Sequence, residues 1–349
     1  MAEDGLITIS LDAMGGDFAP EEPVKGAVQA VRQGGVEVIL VGDEAIVTAE
    51  LAKHDGADEL PISIYSSTGV VEEGEAPALA FRSKPRASIF VATNRVKRGI
   101  AQAVVSMGSS GGTIAAASFL FGTFDGIERG TLGGPIIGLS PNTMIFDVGV
   151  NVDVKPSAAA DFAALGATMS RVLNGVKNPR VALLSVGAEE GKGNKFVKET
   201  TEILKASNLN FIGNVEASDL PFDSADVVVA DGFTGNVVMK LTESLGVALS
   251  TLIREYDSSI DNNELANKVF ALTNPVTQYG GGPLLGVRGV AIVGHGKATA
   301  REVSQAIHTA REAVESNFIA VAEQEVNAMR ESQTASDDTE DDPGVNAKE

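Results

Sequence analysis

Short runs of β-branched and aliphatic residues alternate with longer segments of helical period along almost the whole chain. Strands are predicted over 6–11, 36–41, 62–65, 103–106, 144–147, 181–185, 227–230 and 290–293. Between them, 22–31, 89–98, 114–121, 156–172 and 194–206 read as helices. Strand–helix alternation of this kind builds βαβ units. The predicted fold is therefore α/β, with a mostly parallel sheet and helices on both faces. No internal repeat of fixed period is present, which argues against a solenoid.

The last third departs from this pattern. Over 237–256, Val238, Leu241, Leu245, Ala248, Leu252 and Tyr256 recur at alternating three- and four-residue steps, a stripe for packing on other helices. A loop is predicted over 257–263, then a second helical segment, 264–273, with Leu265, Val269, Phe270 and Leu272. These segments form a helical insertion at about 237–275 in one large α/β domain, 1–330. The apolar faces fit either a subdomain core of their own or a dimer contact, with Val269, Phe270 and Leu272 as a tip against a membrane surface. From 331 to 349 the periodicity stops. Seven acidic residues and one lysine make this a solvated, disordered tail.

Composition narrows the function. Against 27 Lys and Arg stand 47 Asp and Glu, a formal net charge of −20, which argues against a general nucleic-acid binder. With no cysteine, a thiolate nucleophile and any Cys-ligated metal site are excluded. No secretory signal opens the chain, so the expected location is cytoplasmic. The uncharged stretch 99–124 is long enough to cross a bilayer, but the Ser/Gly cluster at 106–113 breaks it into a strand and a helix. Within 76–124 no acidic residue accompanies Arg82, Lys84, Arg86, Arg95, Lys97 and Arg98. That +6 segment suits an acidic protein partner, or else a basic face paired within the fold.

Candidate chemistry lies in six glycine loops that follow predicted strands. They hold Asp12, Gly15, Gly16 and Asp17; Ser106, Gly108, Ser109, Ser110 and Gly111; Asn151; Lys192, Gly193 and Asn194; Asp231, Gly232, Thr234, Gly235 and Asn236; and His295. In a parallel sheet such loops gather at the carboxyl edge, where glycine admits a ligand to backbone N–H groups and helix N-termini favour an anion. The expected ligand is an anionic substrate. Neither a P-loop, a dinucleotide fingerprint nor a G-x-S-x-G elbow is present. His54 and His308 fall on helical segments, which leaves His295 as the histidine in a glycine loop.

Two of these loops, Asp12-Ala13-Met14-Gly15-Gly16-Asp17 and Asp231-Gly232-Phe233-Thr234-Gly235-Asn236, resemble the bacterial phosphate acyltransferases of phospholipid synthesis. Arg82-Ser83-Lys84, Gly126-Ile127-Glu128-Arg129, Glu190-Gly191-Lys192-Gly193-Asn194, Leu284-Leu285-Gly286 and His295-Gly296 extend the likeness in order. The chain departs from the family at Phe18, at Ser109 and at Val150. The resemblance implies a fold similar to phosphotransacetylases and isocitrate/isopropylmalate dehydrogenases. It implies acyl transfer from acyl carrier protein to inorganic phosphate by a homodimer that associates peripherally with the membrane. The acyl phosphate product would then pass to a glycerol-phosphate acyltransferase. No metal or cofactor is expected, because phosphate and a thioester need alignment and oxyanion donors rather than a strong base. Lys192, Asn236 and His295 are the candidates for that work. From the loops alone, an acyl-CoA-dependent phosphotransacylase and a non-catalytic anion- or nucleotide-binding regulator remain open.

Overall fold

The computed structural model describes residues 5–256, 260–275 and 279–340, and its strands divide between two sheets. The first contains β1 (Ile7–Asp12), β2 (Val36–Gly42), β3 (Ile62–Ser66), β4 (Ala103–Ser106), β10 (Gly281–Pro283) and β11 (Val290–Gly294), in the order β10-β11-β4-β1-β2-β3. The second contains β5 (Gly133–Pro135), β6 (Met144–Phe146), β7 (Val181–Leu184), β8 (Phe211–Val215) and β9 (Val227–Val229), in the order β5-β6-β9-β7-β8. Pairing is parallel except for β10 on β11 and β5 on β6.

Alternation along the strands sorts the helices of the first lobe onto two faces. Val105 and Ile292 point to α1 (Glu21–Gln33) and α10 (Ala300–Glu315). Their neighbours Val104 and Ala291 point to α4 (Ser88–Lys97) and α5 (Ser110–Phe121). In the second lobe, α6 (Pro156–Asn174) buries twelve successive residues from Ala159 to Ser170, and α7 (Lys195–Lys205) packs beside it. The apolar core runs on between the lobes through Phe124, Ile127, Leu285 and Phe318. Two antiparallel bridges, Thr123 to Val287 and Thr131 to Leu285, tie the segment that crosses from α5 of the first lobe to β5 of the second onto the connection between β10 and β11 of the first sheet.

The eight predicted strands are present within a residue or two at each end. Three strands lack a sequence signal. β5 and β10 both read Gly-Gly-Pro, with no β-branched residue and a proline that ends the ladder. β8 is interrupted by Gly213, at φ +98°, and a register shift on β7.

The helical insertion is an antiparallel hairpin of α8 (Gly232–Tyr256) and α9 (Ile260–Thr273). Part of the predicted loop, 257–259, lies outside the described residues, and the rest is the start of α9. Gly246 is the close-approach point, since a Cβ there would meet Thr273 Oγ1 at 1.7 Å. The predicted stripe does not enter a core of its own. Of the 25 residues of α8 only Gly232, Gly235, Gly246 and Ser250 are buried, while Leu241, Leu245 and Leu252 are 50–60% exposed. Val269, Phe270 and Leu272 are not at the tip. They lie half-buried at the base of the hairpin, where Gly138 N donates to the Leu272 carbonyl at 2.7 Å.

The final helix, α11 (Phe318–Glu340), lies on α6. Arg330 clasps both oxygens of buried Asp161 at 2.9 and 2.7 Å. The acidic stretch expected to be disordered from Glu331 thus begins as helical backbone to Glu340, there being no Gly or Pro before Pro343, and 341–349 lie outside the described residues.

Candidate active site

Three loops of the first sheet close on one another through backbone contacts. Asp12, at the end of β1, is 2% exposed and accepts the Ser106 hydroxyl at 2.8 Å and the Met14 N–H at 3.2 Å. Ser106 Oγ in turn accepts the Gly108 N–H at 3.0 Å, so one buried chain fixes the β1 and β4 loops. Gly15 fits only because it lacks a side chain. A Cβ there would lie 2.6 Å from Asp12 Oδ2 and 2.8 Å from Gly108 N. The β11 loop joins through Asp17 N, which donates to Gly296 O at 2.7 Å. Burial pushes the Asp12 carboxyl above the ordinary aspartate value, and the Ser106 hydroxyl and Met14 N–H oppose that shift.

The second sheet repeats the device with Asp147. Its carboxylate accepts Gly149 N and Val150 N at 2.8 Å, Asn151 N at 3.2 Å and Asn151 Nδ2 at 2.6 Å. Here too burial is the dominant influence and raises the carboxyl pKa. Gly232 N donates to Asn151 O at 2.8 Å, and Gly235 packs on the Asp147 carbonyl, where a Cβ would be 1.9 Å away. Asp231 caps the start of α8 by accepting Thr234 N at 2.7 Å and Thr234 Oγ1 at 2.8 Å. These contacts place Asn236 beside Gly149.

Two chambers open from these loops. One, of about 460 Å³, is polar, lined by Asp12, Gly15–Asp17, Ser106–Ser110, His295 and Lys297, with Glu72 and Glu73 at its rim. The N-terminus of α5, capped by Ser109 Oγ on Gly112 N at 3.3 Å, faces into it. The other, of about 370 Å³, is mainly apolar and runs between the lobes. They share Ser110, Lys240, Gly294 and His295. Lys297 N donates to His295 Nδ1 at 3.2 Å, so Nδ1 is the acceptor and Nε2 is left to donate.

The predicted residues therefore separate. Asp12, Gly15, Gly16, Asp17, Ser106, Gly108, Ser109, Ser110 and His295 line the polar chamber, and Asn236 lines the apolar one. Asn151, Asp231, Gly232, Thr234 and Gly235 build the turns behind them, and Gly111 lies next to the lining residues of α5. Lys192, Gly193 and Asn194 line neither chamber. Asn194 caps α7 by accepting Val197 N at 3.0 Å, and Lys192 is exposed on the loop after β7. Sequence reasoning missed Lys240 and Lys297. For Lys240 a signal existed: Asn236, Lys240 and Glu243 at i, i+4 and i+7 put three polar residues on one face of a mostly apolar helix. All three line the apolar chamber, and Lys240 pairs with Glu243 at 2.8 Å.

The six cations of 76–124 also divide. Arg82 and Arg86 are exposed on and just after α3 (Pro77–Ser83), whose first residue lies beside Gly111 at the mouth of the polar chamber. Lys84 pairs with Glu75 at 2.8 Å, and the Arg95 guanidinium covers the Tyr65 ring 3.7 Å from its centroid. Lys97 and Arg98 are at the far end of α4, about 15 Å from its chamber-facing start.

Two α/β lobes presenting glycine loops to one cleft form a fold shared with phosphotransacetylases. A phosphotransacetylase from Streptococcus pyogenes superposes with a TM-score of 0.61 at 18% identity, covering 89% of this chain and 94% of that one. A branched-chain phosphotransacylase from Enterococcus faecalis gives 0.53 at 14%, covering 88% and 100%. At these identities the likeness is one of fold. Sequence carries the rest. Residues 7–321 match the family described as "Fatty acid synthesis protein". The phosphate acyltransferase of Elusimicrobium minutum is 41% identical over 333 residues, 93% of this chain and 97% of its own length. That of Aquifex aeolicus is 37% identical over 323 residues, 90% and 95%. The chain belongs to the phosphate acyltransferase family, and it is an acyltransferase.

The loop closure makes a sharp prediction. Gly15→Ala forces a methyl against Asp12 and the Gly108 backbone, so turnover is expected to fall about 100-fold, as for a displacement of about 1 Å at a reacting group. Gly111→Ala, whose Cβ would meet nothing closer than 3.4 Å, is expected to keep turnover within about threefold. Equal activity of the two variants in steady-state assays would remove the backbone contact from the argument.

Proposed function

We propose that the protein transfers an acyl group from acyl carrier protein to inorganic phosphate. The observation that carries this reading is the polar chamber, walled by three backbone-closed glycine loops and the α5 N-terminus, with Lys240, His295 and Lys297 on its lining. Backbone N–H groups and a helix N-terminus suit a phosphate. Lys240 and His295, at the junction of the chambers, suit the thioester carbonyl.

In this scheme a phosphate oxygen attacks the carbonyl carbon, forming the C–O bond, and the carbonyl electrons move to oxygen. The oxyanion then collapses, the C–S bond breaks, and the thiolate leaves and takes a proton from solvent. Phosphate with a second pKa of about 6, as in a phosphate ester, is largely dianionic at neutral pH and needs no strong base. A thiolate of pKa about 8.5 leaves without an acid. The task of the site is to align two reactants and to stabilise the oxyanion, for which Lys240, Asn236 and the imidazole of His295 are the assigned donors. Lys192, on the exposed β7 loop, is assigned attraction of phosphate toward the cleft.

The docking surface for the acidic carrier is assigned to Arg82 and Arg86, which are exposed on and just after α3 and are joined by none of the ion pairs among the described residues. The outer face of α8, with Leu241, Leu245 and Leu252, is assigned to a second copy of the chain, and the far end of the hairpin to a membrane surface. A cytoplasmic dimer at the bilayer would deliver its acyl phosphate to a glycerol-phosphate acyltransferase of phospholipid synthesis.

Each part has its own measurement. With acyl-ACP and phosphate, Lys240→Ala is expected to lower kcat about 10²–10³-fold, the usual loss for one oxyanion donor. Lys192→Ala is expected to raise the phosphate KM with kcat nearly kept. The reverse ranking would reassign the lysines, and thiol release from acyl-CoA but not from acyl-ACP would overturn the choice of donor.

Charge reversal separates the two basic clusters. Arg82→Glu with Arg86→Glu should raise the acyl-ACP KM about tenfold at low salt, with the effect shrinking as salt is added. Lys97→Glu with Arg98→Glu should not. Equal effects of both pairs would refute a local docking surface.

For the assembly, Leu245→Asp is expected to shift sedimentation from dimer to monomer. A wild-type chain that sediments as a monomer at micromolar concentration would dispose of the α8 interface.

A further inference from the structure

The apolar chamber has no part in holding phosphate, and its construction specifies a different occupant. One wall carries Met144 at the start of β6 and Met169 and Leu173 from the second half of α6. Part of the facing lining has no side chains, because β5 and β10 both supply Gly-Gly-Pro and meet where the lobes join. A Cβ built on Gly134 meets no atom within 4 Å, so open space lies there. The mouth is shared with the polar chamber through Ser110, Lys240 and His295, with Asn236 and Glu243 also on the lining from α8. Elsewhere the lining is mainly apolar, with the exposed Tyr279 and Glu312 on its rim.

A mainly apolar chamber that opens onto the polar one beside Lys240 and His295 suits a flexible alkyl chain whose carbonyl lies at that junction. The methionine thioethers adjust to a chain of variable kinks, as rigid branched side chains do not. We propose that this chamber receives the acyl chain of the thioester, and that Gly134, Met169 and Leu173 set the chain length accepted. This rests on the acyl-transfer reading above. Leu173 lies one turn beyond Met169, about 6 Å along the axis of α6. Each methylene that loses its burial is worth about fourfold in affinity.

The test uses the full chain with Gly134→Ile and, separately, Leu173→Trp. Isoleucine suits a strand, and no positive φ forbids it at Gly134. The readout is the ratio of kcat/KM for hexadecanoyl over octanoyl thioester, together with fluorescence titration of a pyrene-labelled fatty acid and the Tm of each variant. Gly134→Ile is expected to lower that ratio at least tenfold and to weaken the fatty-acid probe by a similar factor. Leu173→Trp, one turn along α6 from Met169, is expected to lower it less and only for the longer chain. An unchanged ratio and unchanged probe affinity in folded Gly134→Ile overturns the proposal, even if Leu173→Trp fails to fold. If the wild-type chain forms no acyl phosphate from any thioester, the transfer reading falls. Probe binding that Gly134→Ile weakens would still uphold the chamber as an alkyl site.

Discussion

A carboxylate sealed from water at the end of the first strand is the constraint on which the cleft depends. Asp12 has lost its solvent, and the hydroxyl of Ser106 and the N–H of Met14 replace part of it. Leaving such a group without its partners would cost about 1–3 kcal/mol or more, so the β1 and β4 loops cannot part without exposing that cost. Asp147 imposes the same condition on the second lobe with four donors. Both carboxylates thereby hold the glycine loops in place, and burial is the main cause that raises their pKa values.

Helix α8 joins two environments in one element. Its first turns follow a capped glycine loop and carry Asn236, Lys240 and Glu243 along the chamber. Its later turns hold leucines in solvent, against a partner helix that covers only Gly246 and Ser250. An 18-residue window of this helix has the length and mean hydropathy of a membrane span, with 11% of it buried. As a spanning helix it would draw Asn236 and Lys240 away from the loops that position them. Its apolarity is better matched to a protein or lipid surface lying alongside.

Much of this architecture is legible from residues alone, for definite reasons. Strands such as Ala103–Ser106 and Val181–Leu184 are buried on both faces, so burial and β-branching coincide and the pattern is unambiguous. The division into two sheets is not legible. It depends on β5 and β10, where Gly-Gly-Pro carries no strand signal and pairing is decided by neighbours. The glycine loops were identifiable because their spacing is local. Lys240 was not, because it reaches the site from a helix that only the fold brings to these loops, whereas Lys297 sits in an identified loop two residues after His295. Around Lys192 the same local spacing has a structural use: Gly193, at φ +100°, serves the turn into α7 and Asn194 its cap, and Lys192 itself is exposed outside both chambers.

The segment that crosses from α5 to β5 has a mechanical consequence. It is bridged near both ends, Thr123 to Val287 and Thr131 to Leu285, to the connection between β10 and β11 of the first sheet. A free linker of that length could swivel and stretch. One laced along a neighbouring connection has its slack taken up, so β5 leaves the first lobe from a fixed point. The glycine loops of the second sheet are thereby anchored to those of the first by tethered chain as well as by the apolar core that the lobes share.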